Sequence, residues 1–150
     1  MNRFTSLRPV VAVLVALGIL TISTRASAAG RPYRARSTAV LNLATGDFVA
    51  AGNATHLGKY TEIGSISISG DDPTALHVEG SATLTAANGD ELCVVITGEM
   101  NFLTGTITGT ITFDGATSGR FEDATGSASL VAQLQPDGTI SVDIVGTIDY

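Results

Sequence analysis

The sequence predicts an all-β protein: an eight-stranded antiparallel up-and-down β-barrel preceded by a signal-peptide helix. Three observations carry that expectation. Apolar and polar residues alternate with period two along most of the chain, Thr, Val and Ile outweigh the helix formers, and the 17 glycines fall in a pattern. Period-two alternation marks a strand with one buried face, and β-branched residues suit a pleated sheet. Beyond residue 28 no helical period runs for more than a few residues.

The first element is an export signal. Arg3 and Arg8 precede an apolar run from Val10 to Ile22, and Ala26-Ser27-Ala28 follows with small residues at a cleavage spacing. This is the layout of a secretory signal peptide. The run is shorter than the roughly 20 apolar residues of a spanning helix. Residues 1–28 are therefore read as a Sec-type signal, and the destination as secreted, either periplasmic or extracellular. Residues 29–35 are expected to form a flexible tail, with Arg31 and Arg34 solvated, and residues 36–150 a single barrel domain.

Cleavage after Ala28 removes Arg3, Arg8 and Arg25 and leaves five basic against 14 acidic residues, a net charge of −9. That balance excludes nucleic acid, which needs a basic footprint, and speaks against a membrane partner after cleavage. Cys93 is the sole cysteine, so there is no internal disulfide and no cysteine-built metal site. No cofactor motif is present.

The strands follow in order. Arg36–Ala44, Phe48–His56 and Tyr60–Ser69 alternate weakly, whereas Leu76–Ala87 places Leu76, Val78, Ala82 and Leu84 on one parity. Glu91–Phe102 aligns Leu92, Val94, Ile96, Met100 and Phe102; Gly105–Asp114 sets Ile107, Ile111 and Phe113 against a row of threonines. Arg120–Leu134 is the seventh, and Thr139–Tyr150 closes the set with Ile140, Val142, Ile144 and Ile148 on one side. The links carry turn residues, among them Thr45-Gly46, Asn88-Gly89 and Pro136-Asp137-Gly138. Asn88-Gly89 is the strongest hairpin signal, because both residues accept positive φ. Short links make sequential strands neighbours. A closed barrel then suits the pattern better than a Greek-key sandwich, which needs a long crossover. Seven glycines (Gly52, Gly64, Gly80, Gly98, Gly109, Gly126 and Gly146) lie inside strands on the inward parity. They mark either sharp coiling of the sheet or room left for large side chains.

Residues 117–126, Thr-Ser-Gly-Arg-Phe-Glu-Asp-Ala-Thr-Gly, resemble the Gly-Arg/Lys-Phe-x-x-Ala-x-Gly motif of dirigent and allene oxide cyclase barrels. The chain is similar to small secreted bacterial proteins with an allene-oxide-cyclase-like barrel, which carry Thr-His-Leu-Gly early and Asn-Gly-Asp in mid-chain. Here these are Thr55-His56-Leu57-Gly58 and Asn88-Gly89-Asp90, followed by Gly119, Arg120, Phe121, Ala124 and Gly126. The resemblance spans most of residues 36–150 and implies a calycin-like eight-stranded barrel, of a type that often forms trimers. The family's Gly-Gly-Thr-Gly is replaced by Gly115-Ala116-Thr117-Ser118-Gly119, one residue longer. Nothing matches the cyclase's catalytic carboxylate and water-holding set, so no catalytic residue is carried over.

Few side chains suggest chemistry. His56 is the candidate catalytic or ligand-binding group, because it shares the parity of Phe48, Ala50 and Ala54 and is expected to point inward. Imidazole titrates near neutral pH. Arg120 is a candidate anion anchor, otherwise expected to pair with Glu122 or Asp123. His77 and Glu79 share one face of a strand and are a two-residue metal candidate, short of the three or four ligands zinc takes. The expected function is a non-catalytic binding or structural module, with a small apolar molecule as ligand. The alternatives are a cyclase- or isomerase-type enzyme on a small apolar substrate, and a homo-oligomeric envelope or matrix protein. An internal cavity would separate them.

Overall fold

Alternating Thr, Val and Ile rows become eight strands in the computed structural model, which describes residues 30–116 and 119–150. They are β1 (Arg31–Leu41), β2 (Asp47–Ala54), β3 (Gly58–Ser69), β4 (Leu76–Ala86), β5 (Glu91–Asn101), β6 (Thr106–Phe113), β7 (Thr125–Leu134) and β8 (Ile140–Asp149). Each pairs antiparallel with the next, and β8 returns to β1, so the sheet is a closed barrel with no free edge. No helix occurs among the described residues. The expected signal segment, residues 1–28, lies outside the described residues.

The alternation sorts the faces as expected. Val78, Leu84, Leu92, Val94, Ile111 and Ile144 point inward and are buried, while the intervening threonines of β6 face out. The in-strand glycines are explained by closeness of backbones. A Cβ at any of the seven would come within 3.0 Å of a carbonyl oxygen on the neighbouring strand. Gly98 and Gly109 face each other across β5 and β6, and each Cβ would meet the other's Cα as well. These positions are where neighbouring backbones come closest, and at Gly64 and Gly80 the vacant space is also taken by Phe48 and Ile66.

The two ends differ. The first end carries the loops 55–57 and 87–90 and the described residues 114–116 and 119–124 of the link from β6 to β7, and it is plugged: Tyr33, Leu92, Phe121 and Ile148 have no exposed surface. The Tyr33 ring packs edge-on against Phe113 with centroids 4.8 Å apart. The second end carries the loops 42–46, 70–75, 102–105 and 135–139. Its inward side chains, including Leu41, Ile68, Leu76 and Val142, stay only half-buried, and Leu43, Phe102 and Leu103 stand exposed on its rim. We call these the closed and open ends.

Two boundaries and one turn differ from expectation. The segment from Arg31 is no flexible tail, because β1 already pairs with β8 from Arg31↔Ile148 onward and buries Tyr33 and Ala35. The seventh strand starts at Thr125 rather than Arg120, because the chain from 119 turns back to bury Phe121 and Ala124 in the closed end. In the Asn88-Gly89 turn only Gly89 takes positive φ, at 88°.

Gly109→Ala should cost about 1–3 kcal/mol, because a backbone must shift to admit the methyl group. Thr110→Ala, one residue away on the outer face, should cost less than about 1 kcal/mol. Urea unfolding of the two variants checks the difference.

Candidate functional site

Inside the barrel, from mid-height toward the open end, lies a cavity of about 70 Å³. Small side chains such as Ala39, Ala50 and Ala132 form one part of its wall, and Ile96, Ile111 and Ile144 another. A water molecule takes about 30 Å³ of liquid and a cavity of about 150 Å³ admits benzene. The space therefore suits two waters or a chain of three or four carbons. The only polar side chains on the wall are Ser37 and Glu62.

Glu62 is the feature that the sequence reading did not single out. It sits on β3 between Tyr60 and Gly64, on the inward parity, and pairs in register with Ala50 of β2 and Leu84 of β4. It is 8% exposed, the one charged residue among the buried set. Its carboxyl has no hydrogen-bond or ion-pair partner among the described residues. Burial alone pushes its pKa up to about 7, since a low-dielectric wall disfavours the charged form. The signal was present: Tyr60, Gly64, Ile66 and Ile68 share its parity.

Two phenols lie beyond Glu62 toward the closed end. The hydroxyls of Tyr33 and Tyr60 are fully buried and lack hydrogen-bond partners among the described residues. Burial raises the Tyr60 phenol to about 12, opposed by the nearby Ser37 hydroxyl and reinforced by Glu62. Ser37 exerts that pull without reaching hydrogen-bond geometry, so the Tyr60 hydroxyl counts as unpaired. Tyr33 is raised further by burial, with Tyr60 and Glu62 adding to it. Gly52 stands between Ser37 and Tyr60 in the strand register, and its missing side chain leaves that approach open. A carboxyl and two phenols thus face an apolar interior with their hydrogen-bonding capacity unspent, against the rule that buried polar groups are paired.

The residues expected to carry chemistry lie elsewhere. His56 does not reach the cavity. It follows the end of β2 in the closed-end loop with φ of 82°, its Nε2 is 2.9 Å from the Pro32 carbonyl oxygen, and its ring packs 5.5 Å from that of Tyr150. A left-handed histidine is uncommon, and these contacts hold it. Arg120 pairs with Asp90 at 2.9 Å, not with Glu122 or Asp123. It also donates to the His56 carbonyl and lies 4.6 Å from the Phe121 ring centroid. Asn88 donates to the same Asp90 carboxylate at 2.8 Å, while Thr55 accepts from the Arg34 amide. The three motifs, Thr55 to Gly58, Asn88 to Asp90 and Gly119 to Phe121, therefore meet as one clasp over the closed end, with Leu57 and Ala124 buried beneath it.

His77 and Glu79 do pair, Nε2 to Oε1 at 3.0 Å, on the outer face with both side chains more than half exposed. No group of three or more metal-ligating residues exists among the described residues. Cys93 is half-buried beside Thr83. Compared with family models, curated proteins and solved structures, the chain matches none.

The Glu62 carboxyl titrates at 4.5 when exposed and at about 7 in the fold. Its protonated form is therefore favoured by folding. That contribution is fully present below pH 4.5 and is lost as pH rises through 7. The loss amounts to about 3 kcal/mol. In urea melts from pH 4.5 to 8, wild type should fall relative to Glu62→Gln by that order, and the amide variant should be the more stable at pH 8.

Proposed function

We propose that this chain is an exported, non-catalytic barrel that binds a small, mainly apolar ligand in its interior. The observation that carries this reading is the unpartnered Glu62 carboxyl on a cavity wall that is apolar apart from Ser37. A buried polar group without a partner costs free energy, and a ligand with one polar atom and a short hydrocarbon body would relieve it. Cavities of this type, mostly apolar with one or two placed polar groups, are the usual form of small-molecule sites. Export is supported by Arg3, Arg8, the apolar run and Ala26-Ser27-Ala28. The resemblance to allene oxide cyclase-like barrels agrees with the strand number, but architecture does not define activity. An isomerase would use the same carboxyl as its proton-transfer group. It would also need a second group held against Glu62, and no hydrogen bond to Glu62 is found among the described residues.

Titration with 1-butanol, followed through methyl NMR signals, tests this reading. Shifts should concentrate on Ile96, Ile111 and Ile144, and Ala50→Leu, which fills the cavity, should abolish them. Shifts confined to the outer surface, or unchanged in Ala50→Leu, would remove the interior site.

A separate observation favours self-association. Val40, Val49 and Ile63 are exposed and lie side by side across β1, β2 and β3 in register, an outward apolar row on a barrel with no edge to pair. A contiguous exposed apolar patch marks an interaction surface. Light scattering should report a dimer or trimer that Ile63→Lys converts to monomer; a monomeric wild type excludes it.

A further inference from the structure

The cavity's surroundings narrow the ligand further, on the reading that the cavity is a binding site. Charge is divided along the barrel axis. The open end carries Asp47, Asp71, Asp72 and Asp137 around its rim, and its four loops contain no Lys or Arg. The row Ala39–Ala50–Glu62 crosses β1 to β3 in register. The basic residues Arg31, Arg34, Arg36, Lys59 and Arg120 all lie on the closed-end side of that row. His77, the remaining basic group near the open end, is on the outer face against Glu79. A molecule entering from the open end thus passes carboxylates and apolar side chains but no Lys or Arg before it meets an apolar channel with one more carboxyl on its wall.

We propose that the ligand is a small alkyl amine, bound as its ammonium ion with the head on Glu62 and Ser37 and the chain among the isoleucines. An ammonium has three donors and no acceptor. The two Glu62 oxygens and the Ser37 hydroxyl on the wall are acceptors for all three. The acidic rim raises the local concentration of a cation and repels a carboxylate. A fatty acid or phosphate ester would bring a second negative charge to a wall that holds no cation. An alcohol would leave both the rim's field and the carboxylate charge unused.

The proton balance follows from the groups that face Glu62. They are Tyr33 from β1 and Tyr60 from its own strand, both neutral throughout the working range, while β2 and β4 present Ala50, Gly52, Ala82 and Leu84. The ammonium keeps its proton and the Glu62 carboxyl gives its proton to solvent. Binding therefore strengthens as pH rises through 7, the value for Glu62 in the empty cavity, by about tenfold between pH 6 and pH 8.

The test compares n-butylamine, 1-butanol and butyrate on the intact protein by methyl NMR and calorimetry. At pH 8 the amine should bind at least tenfold more tightly than the alcohol, and butyrate should not bind. The amine's advantage should shrink at pH 6 and disappear in Glu62→Gln, whose fold is checked by its unchanged methyl spectrum. Calorimetry in two buffers of different ionisation heat should show one proton released per amine bound at pH 6. Equal binding of amine and alcohol, or an amine advantage that survives Glu62→Gln, overturns the amine proposal and leaves the cavity as a binding site. No binding of either overturns both.

Discussion

Closing a sheet of only eight strands forces neighbouring backbones together at the corners, and the rest of this molecule depends on that closeness. At seven inward positions no Cβ fits beside the adjacent carbonyl, so glycine is what permits the ring to shut between β8 and β1. Closure removes the unpaired edges through which a Thr- and Val-rich sheet would pair with other chains. It also creates an interior too narrow for layers of large side chains on every strand. Where Ala39, Ala50 and Ala132 face the axis, the walls do not meet and the cavity remains.

The two halves divide the work. The closed end gathers the aromatic residues and the clasp: Tyr33 on Phe113, Phe121 against Tyr150 with ring centroids 4.7 Å apart, and Arg120 joining three loops through Asp90 and His56. The Arg120 and Asp90 side chains are 43% and 22% exposed, so the charge in that pair is screened and worth little by itself. Its effect is geometric, since it fixes how residues 119–124 fold over the mouth. With that mouth sealed, access is left to the open end, where the inward apolar residues are incompletely covered and the rim is acidic.

Much of this was legible from alternation. Parity identified the inward rows of β4, β5, β6 and β8, except that Phe102, aligned with the β5 row, lies past the end of the strand and is exposed, and the placement of glycines on that parity pointed to a curled sheet. Parity failed where a strand stopped. His56 was expected inward because Ala54 is, yet the chain leaves the strand at Ala54 and the left-handed turn at His56 redirects its ring onto Tyr150. At the start of the chain, a cluster of arginines looked like a solvated tail. Their neighbours Tyr33 and Ala35 are buried by pairing with β8, a partner more than a hundred residues away that local pattern does not reveal. Glu62 was legible and overlooked: β3 alternates weakly, its inward set includes a glycine, and a lone carboxylate belongs to no motif.

On the proposed reading, Glu62 is what distinguishes a binding barrel from a purely structural one. A barrel that served only as a scaffold would gain from an uncharged side chain at this level. A carboxyl there weakens the fold at neutral pH, because its charged form is stranded in an apolar wall, and the unpaired hydroxyls of Tyr33 and Tyr60 add further unsatisfied groups. Each is a local conflict with an otherwise consistent sequence of alternating rows, correct turns and close-fitting glycines. Such conflicts are expected at functional sites, where polar capacity is held in reserve for something that arrives. Here they share one stretch of β1 and β3, beside the internal cavity and below the end whose inward side chains are only half-buried. That coincidence of unspent polar groups, cavity and access supports a ligand more strongly than any of the histidines does.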